Sequence, residues 1–367
     1  MSILIFIAVI VVLIVVHEFG HFIAAKLSGM RVDEFGLGFP PRAMILAKKG
    51  ETLYTLNWLP FGGFVKIYGE DASLDKLEMP NSFSSKTRLA QALVLVAGVA
   101  MNMLFAYALI TGALIAGTPR ALSDSEVATA KNVELAVANV LPGSPAAQAG
   151  LLQGDIILSA EDGHNILPQT TPSAFTKFVS EGGSNKTITL SVRHSDGKEA
   201  LLFARPVEGL IASDPSRPAI GVEVATIGVV PLSLGSAIIE GISLTWGATV
   251  LTAQGLWHFF YGIFTLSADL SQVAGPVGIA GIVGSSSSQG IGYLLSIMAI
   301  ISINLALINL IPIPALDGGR LLFVIIESVI RRPIKQSIAH AVNAVGFIFL
   351  ILLMLVVTAN DIFRIVG

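Results

Sequence analysis

Residues Ser2 to Val16 are almost wholly apolar, and the run continues through His17, Glu18 and His21 to Leu27. At about 1.5 Å of rise per residue, a helix of that length crosses a hydrocarbon layer of roughly 30 Å. No basic segment precedes the run and no small-residue cleavage site follows it, so it reads as a retained span rather than a removed signal peptide. Three further segments are long and apolar enough to span: Leu89 to Ala116, Ile291 to about Ile326 with polar interruptions, and Ala339 to Thr358. A fourth segment, Leu234 to Leu266, contains Glu240, Trp246, Gln254, Trp257 and His258, and suits a helix lying at the interface as well as one crossing. Only 13% of residues are charged, against about a quarter in soluble domains, and this places the chain among polytopic membrane proteins. A net charge of -3 offers no broad basic surface, so nucleic acid is not an expected partner.

Basic residues orient the spans. Nine Lys or Arg lie between Ala24 and Arg88, and the link Arg331-Arg332-Pro333-Ile334-Lys335 is densely basic, so both read as cytoplasmic. Residues 120 to 290 carry eight over more than twice the length and read as outside. Within them, 121–218 has the composition of a small, mostly β soluble domain, with turns at Asp162-Gly163, Gly182-Gly183 and Asp196-Gly197 and alternation from Thr187 to Val192. Thr52 to Tyr68 reads as two strands about a Pro60-Phe61-Gly62-Gly63 turn, and Ser285 to Ser288 as a loop. The chain thus divides into an N-terminal membrane part (1–120), the soluble domain (121–218), an interfacial helical region (219–290) and a C-terminal membrane part (291–367).

His17-Glu18-Phe19-Gly20-His21 is an HExxH motif on an expected helix. Residues four apart share a helical face, so both imidazoles can hold one ion while Glu18, about 100° around, sits beside its water. Ionisable groups in an apolar span cost several kcal/mol unless paired or lining a polar cavity, and a bound cation is such a partner. The alternative is a helix end whose polar groups snorkel to the interface. The chain has no cysteine, leaving His and carboxylate as ligands, and a catalytic zinc generally takes three protein ligands. The candidate third ligand is Asp317, in the run Asn309 to Gly319, where two prolines and two glycines break an apolar stretch. By itself that run also reads as a helix-ending turn with an exposed Asp. The first span puts His17 and His21 toward its cytoplasmic end, and Asp317 joins them only if Ile291 to Leu316 runs in the same direction. That requirement favours four spans and an interfacial Leu234 to Leu266. His164, His194, His258 and His340 have no partner at ligand spacing and read as surface or interfacial, and Asn102 and Asn304 as interhelical hydrogen-bond formers.

These residues resemble the bacterial branch of the site-2 protease family over nearly the whole chain. The resemblance runs through the HExxH, Gly36-Leu37-Gly38-Phe39, Pro60 to Lys66, Ala97-Gly98 with Asn102, Gly275-Pro276-Val277-Gly278-Ile279, and Asn309 to Gly319. Ala97-Gly98-Val99 departs from the family's usual Ala-Gly-Pro. The resemblance implies that His17, His21 and Asp317 hold Zn2+, that Glu18 is the general base, and that Asn309 positions substrate. Gly62, Gly63 and Phe64 would lie in a membrane-associated β-hairpin that pairs with an unwound substrate. Val140 to Ile157 resembles a PDZ domain without an evident carboxylate-binding loop, so a steric filter that excludes untrimmed proteins by size is expected over binding of peptide tails. The expected fold is therefore a polytopic α-helical membrane protein with about four transmembrane helices, the β-hairpin region and one inserted PDZ-like α+β domain.

The resemblance further implies an intramembrane zinc metalloprotease of the cytoplasmic (inner) membrane, in contact with lipid, with its PDZ-like domain extracytoplasmic. Its substrates would be single-span membrane proteins already trimmed by an upstream site-1 protease, such as anti-sigma factors, or signal-peptide remnants. The rival reading is a non-proteolytic adaptor whose PDZ-like domain binds tails; it leaves the HExxH and Asp317 without a purpose.

Overall fold

The computed structural model describes residues 2–70, 81–163, 165–167, 171–182, 186–194, 197–211, 214–265, 274–288, 290–332 and 334–366. His164 and part of the expected turns at 182–183 and 196–197 lie outside these. The chain forms two compact units, Met1–Ala116 with Ser233–Gly367, and Gly117–Leu232.

The first unit opens with α1 (Ser2–Leu27), β1 (Val32–Lys49), β2 (Thr52–Ile67) and α2 (Arg88–Ala116), and resumes with α6 (Leu234–Phe264), α7 (Pro276–Ser288), α8 (Ile291–Leu310), α9 (Asp317–Ile330) and α10 (Gln336–Val366). Helices α1 and α2 run antiparallel at close range, because a Cβ on Gly20 would lie 2.8 Å from Met101 Cβ. Small residues at the crossing let two apolar helices approach, which is how helices associate where no hydrophobic effect separates them from lipid. Helix α8 buries Ala299, Ser302, Ile303 and Ala306 on one face. Ser302 Oγ donates to the Asn102 carbonyl at 2.8 Å, and Leu295 lies beside Gly112. This register makes α8 antiparallel to α2 and hence parallel to α1, the direction that the ligand argument requires.

The third apolar stretch breaks where its prolines predict, at 311–316, into α8 and α9. Other expectations change. Leu234–Phe264 forms α6, one of five helices among the described residues that are long and apolar enough to cross a membrane. Ser285 to Ser288 is helical, as the end of α7 rather than a loop. Ser285 and Ser286 hydroxyls donate to the Ile282 carbonyl at 3.0 and 2.6 Å, and Ser287 to Gly284 at 2.7 Å, so the serines satisfy their own polarity one turn back. The two strands of Thr52 to Tyr68 do not pair with each other. Residues 34–37 lie between them, Phe35 opposing both Tyr54 and Val65, and Leu37 both Leu56 and Gly63, while 42–49 closes a hairpin onto 52–57. The insertion is possible because Gly36 has no side chain; a Cβ there would lie 2.5 Å from the Phe64 ring and 2.9 Å from the Asn57 amide.

The second unit contains β3 (Pro119–Ala121), α3 (Asp124–Val127), β4 (Lys131–Val140), α4 (Pro145–Gln148), β5 (Ile156–Glu161), α5 (Pro172–Gly182), β6 (Ile188–Arg193), β7 (Glu199–Ala204) and β8 (Val222–Val229). They build one antiparallel sheet in the order β3-β8-β4-β5-β6-β7. Alternation does the work: Ile188, Leu190 and Val192 point into a core with Leu135, Val137, Ile157 and Phe175. The expected boundaries, 121 and 218, fall inside this sheet. Strand β8 pairs with both β3 and β4, so the unit extends to Leu232 and the helical region starts after it. His194 is not a free surface group; its Nδ1 lies 2.8 Å from the buried Asp155 carboxylate.

Candidate metal centre

Helix α1 stacks His17 and His21 one turn apart, both buried, with their Nε2 atoms 3.1 Å from each other. The carboxylate of Asp317, the first residue of α9, reaches both: Oδ2 lies 2.9 Å from His17 Nε2 and 3.2 Å from His21 Nε2. The sequence puts Asp317 there by a tight reversal. Pro312 and Pro314 cannot continue α8, Ala315 takes φ +77°, and a Cβ on Gly318 or Gly319 would run into the carbonyls of Leu310, Ile311 and Ile313.

The donor set fits a metal ion. One ligand atom from each of His17, His21 and Asp317 lies within 4.8 Å of the others. Two imidazole nitrogens and a carboxylate oxygen aimed at one another repel through their lone pairs unless a proton or a cation sits among them. His21 is already set for that role: its Nδ1 lies 2.8 Å from the Val94 carbonyl, which takes a ring proton at Nδ1 and leaves Nε2 its lone pair. Gly98 gives the rings their room, since a Cβ there would overlap His21 and lie 2.8 Å from His17 Cε1.

Glu18, the residue after His17, lines a cavity of about 540 Å³ together with His21, Gly63, Phe64, Asp317 and Arg320. Its Oε2 accepts the Val65 N–H at 3.0 Å. Phe35 pairs with Val65 on the other side, so this N–H belongs to the free edge of strand 63–67. Across the cavity mouth Arg320 is ion-paired with Glu70. The structure thus brings together His17, His21, Asp317, Glu18, Gly63 and Phe64. Gly62 lies behind them at φ +94°, against the Phe39 ring, and Asn309 is half-buried in the last turn of α8, outside the cavity lining. Val65, Val94, Gly98 and the Glu70–Arg320 pair carry no motif of their own; only the resemblance touched some of their segments.

Comparison with known proteins covers almost the whole chain. The family model described as Peptidase family M50 matches residues 5–353. A protein of Clostridium perfringens whose name assigns it to the zinc metalloproteases is 34% identical over 352 residues, 95% of each chain. One of Nostoc, named in the same way, is 33% identical over 357 residues, 96% of this chain and 93% of its own. Zinc metalloprotease RasP of Oceanobacillus iheyensis is 29% identical over 439 residues, 96% of each.

Proposed function

The chain belongs to peptidase family M50, the site-2 proteases, and from that premise we propose that it cleaves transmembrane segments with a zinc centre built from His17, His21 and Asp317. It is a multi-pass membrane protein and a zinc metalloprotease. The observation that carries the site assignment is the convergence of the two Nε2 atoms and Asp317 Oδ2 beside Glu18. Zinc held there supplies Lewis acidity toward the scissile carbonyl and a water acidified to a pKa of about 7. Glu18 would act as the general base, taking a proton from the attacking water and returning it to the leaving amine. The Arg320–Glu70 ion pair makes part of the cavity lining polar, which suits a site that must admit water.

A transmembrane helix hides its peptide bonds in its own hydrogen bonds, so a substrate must be unwound and held open. The free edge of strand 63–67 supports strand addition at Gly63 to Val65, directly beside Glu18. Met44, Ile45, Leu46 and Trp58 are exposed on the same β-element, an apolar surface suited to a seat in the bilayer. Substrates of this design are single-span proteins trimmed beforehand by a site-1 protease, anti-sigma factors or signal-peptide remnants, processed in the inner membrane with the second unit on the outer side.

We read the second unit as PDZ-like. A groove of about 260 Å³ runs between α5, at Phe175 and Val179, and the chain from Arg217 to Glu223. Residues 119–122 cover the outer edge of β8 only from Thr226 onward, so that edge of Val222 to Ala225 has no strand partner among the described residues. This supports binding of a peptide tail, with Arg217 available to a carboxylate, over exclusion by size alone. The test of the whole reading is zinc content and cleavage of a model transmembrane peptide by detergent-purified protein and its Glu18→Gln variant. Equal cleavage by the two, or protein devoid of zinc, refutes it.

A further inference from the structure

His17 faces the other two ligand atoms through Nε2. A neutral imidazole that ligates through Nε2 carries its ring proton on Nδ1, and that N–H needs an acceptor. The group opposite His17 Nδ1 is the carboxamide of Asn102, at 3.2 Å and completely buried. It presents Nδ2, which would set two N–H donors face to face, while Asn102 Oδ1 is buried without a hydrogen-bond partner. Carboxamide oxygen and nitrogen have nearly the same shape, and a half-turn about Cβ–Cγ exchanges them. Either orientation leaves one polar atom without a protein partner, so counting hydrogen bonds does not choose between them; the ligand role of His17 does.

We propose that Asn102 is a positioning residue of the metal centre: its Oδ1 accepts the Nδ1–H of His17, which fixes the tautomer and aims Nε2 at the ion. The inference rests on the zinc-protease reading above. It gives His17 the support that the Val94 carbonyl gives His21. Asn102 is itself anchored, because its main-chain carbonyl accepts the Ser302 hydroxyl at 2.8 Å. The backbone at residue 102 is therefore tied to α8, the helix that leads to Asp317, and the three ligands share one framework.

Two substitutions separate this role from mere packing. Leucine at 102 keeps the volume and removes the acceptor; aspartate keeps the shape and offers acceptors only. Zinc affinity of the full chain in detergent is measured by competition with a chromophoric chelator, with circular dichroism and size-exclusion profiles as the check on folding. Asn102→Leu is expected to bind zinc about 10- to 100-fold more weakly, and Asn102→Asp within about threefold of wild type or more tightly. Asn102→Asp weakened as much as Asn102→Leu, or both variants matching wild type, overturns the assignment. Should Asn102→Leu fail to fold, Asn102→Asp decides alone, since a donor role for the amide predicts its loss of zinc. Wild-type protein without affinity for zinc overturns the protease reading and this inference with it, which keeps the two failures distinct.

Discussion

A methyl group on residue 98 has no space: it would overlap the His21 ring and press on His17. Gly98→Ala is therefore expected to reduce bound zinc by at least about tenfold while leaving helix content unchanged, read by metal analysis and circular dichroism. Glu18→Gln keeps the volume and loses the base, so cleavage should fall by about 10²- to 10⁴-fold with zinc retained. Protein stripped by a chelator should lose cleavage and regain it on adding zinc, and a chelator-resistant activity would contradict the assignment. At this scale the sequence was most informative about ligands. His17, Glu18 and His21 declare themselves because helical spacing is local, and Asp317 only in their company, since its run by itself reads as a helix-ending turn. Val94 and Gly98 act across a helix crossing, where one contributes a carbonyl that any residue has and the other an absent side chain, and no spacing rule reads either.

Among the elements, α10 is held at its far end by one carboxylate. Asp361, buried, accepts the N–H groups of Gly275 and Gly278 at 3.1 and 2.8 Å at the start of α7. The Gly275-Pro276-Val277-Gly278 motif thus serves as a clasp: Gly275 must lack a Cβ, which would lie 2.7 Å from Asp361 Oδ2. Asp361→Ala leaves two buried donors unsatisfied and should cost about 1–3 kcal/mol, seen as a lower thermal midpoint in detergent with unchanged zinc content. The edge strand makes a second prediction. The Val65 N–H points at Glu18 rather than into the ladder, so proline at 65 spares the pairing with β1. Val65→Pro should retain zinc and raise KM for a transmembrane peptide by about fivefold, the equivalent of one hydrogen bond of about 1 kcal/mol. An unchanged KM would argue against strand addition there. The helices were legible from apolar length, and the break before Asp317 from its prolines. The order of the β-element was not, since alternation identifies a strand's faces but says nothing of its neighbours; only Gly36, squeezed between Phe64 and Asn57, reveals the insertion.

On the scale of the molecule, the second unit has a core of its own around Leu135, Ile157, Phe175 and Leu190, closed by the pairing of β3 with β8. A fragment spanning 117–232 should fold alone and unfold cooperatively in urea, whereas one cut at 121–218 loses both edge partners and should not. Composition marked this domain but misplaced its ends, because β8 is as apolar as the helix that follows and only pairing assigns it. The first unit shows the opposite dependence. His17 and Asp317 stand 300 residues apart and meet only after α8 lies along α2. During synthesis the histidine pair therefore enters the bilayer long before its carboxylate exists, so under the proposed ligand set the nascent chain carries an incomplete metal site.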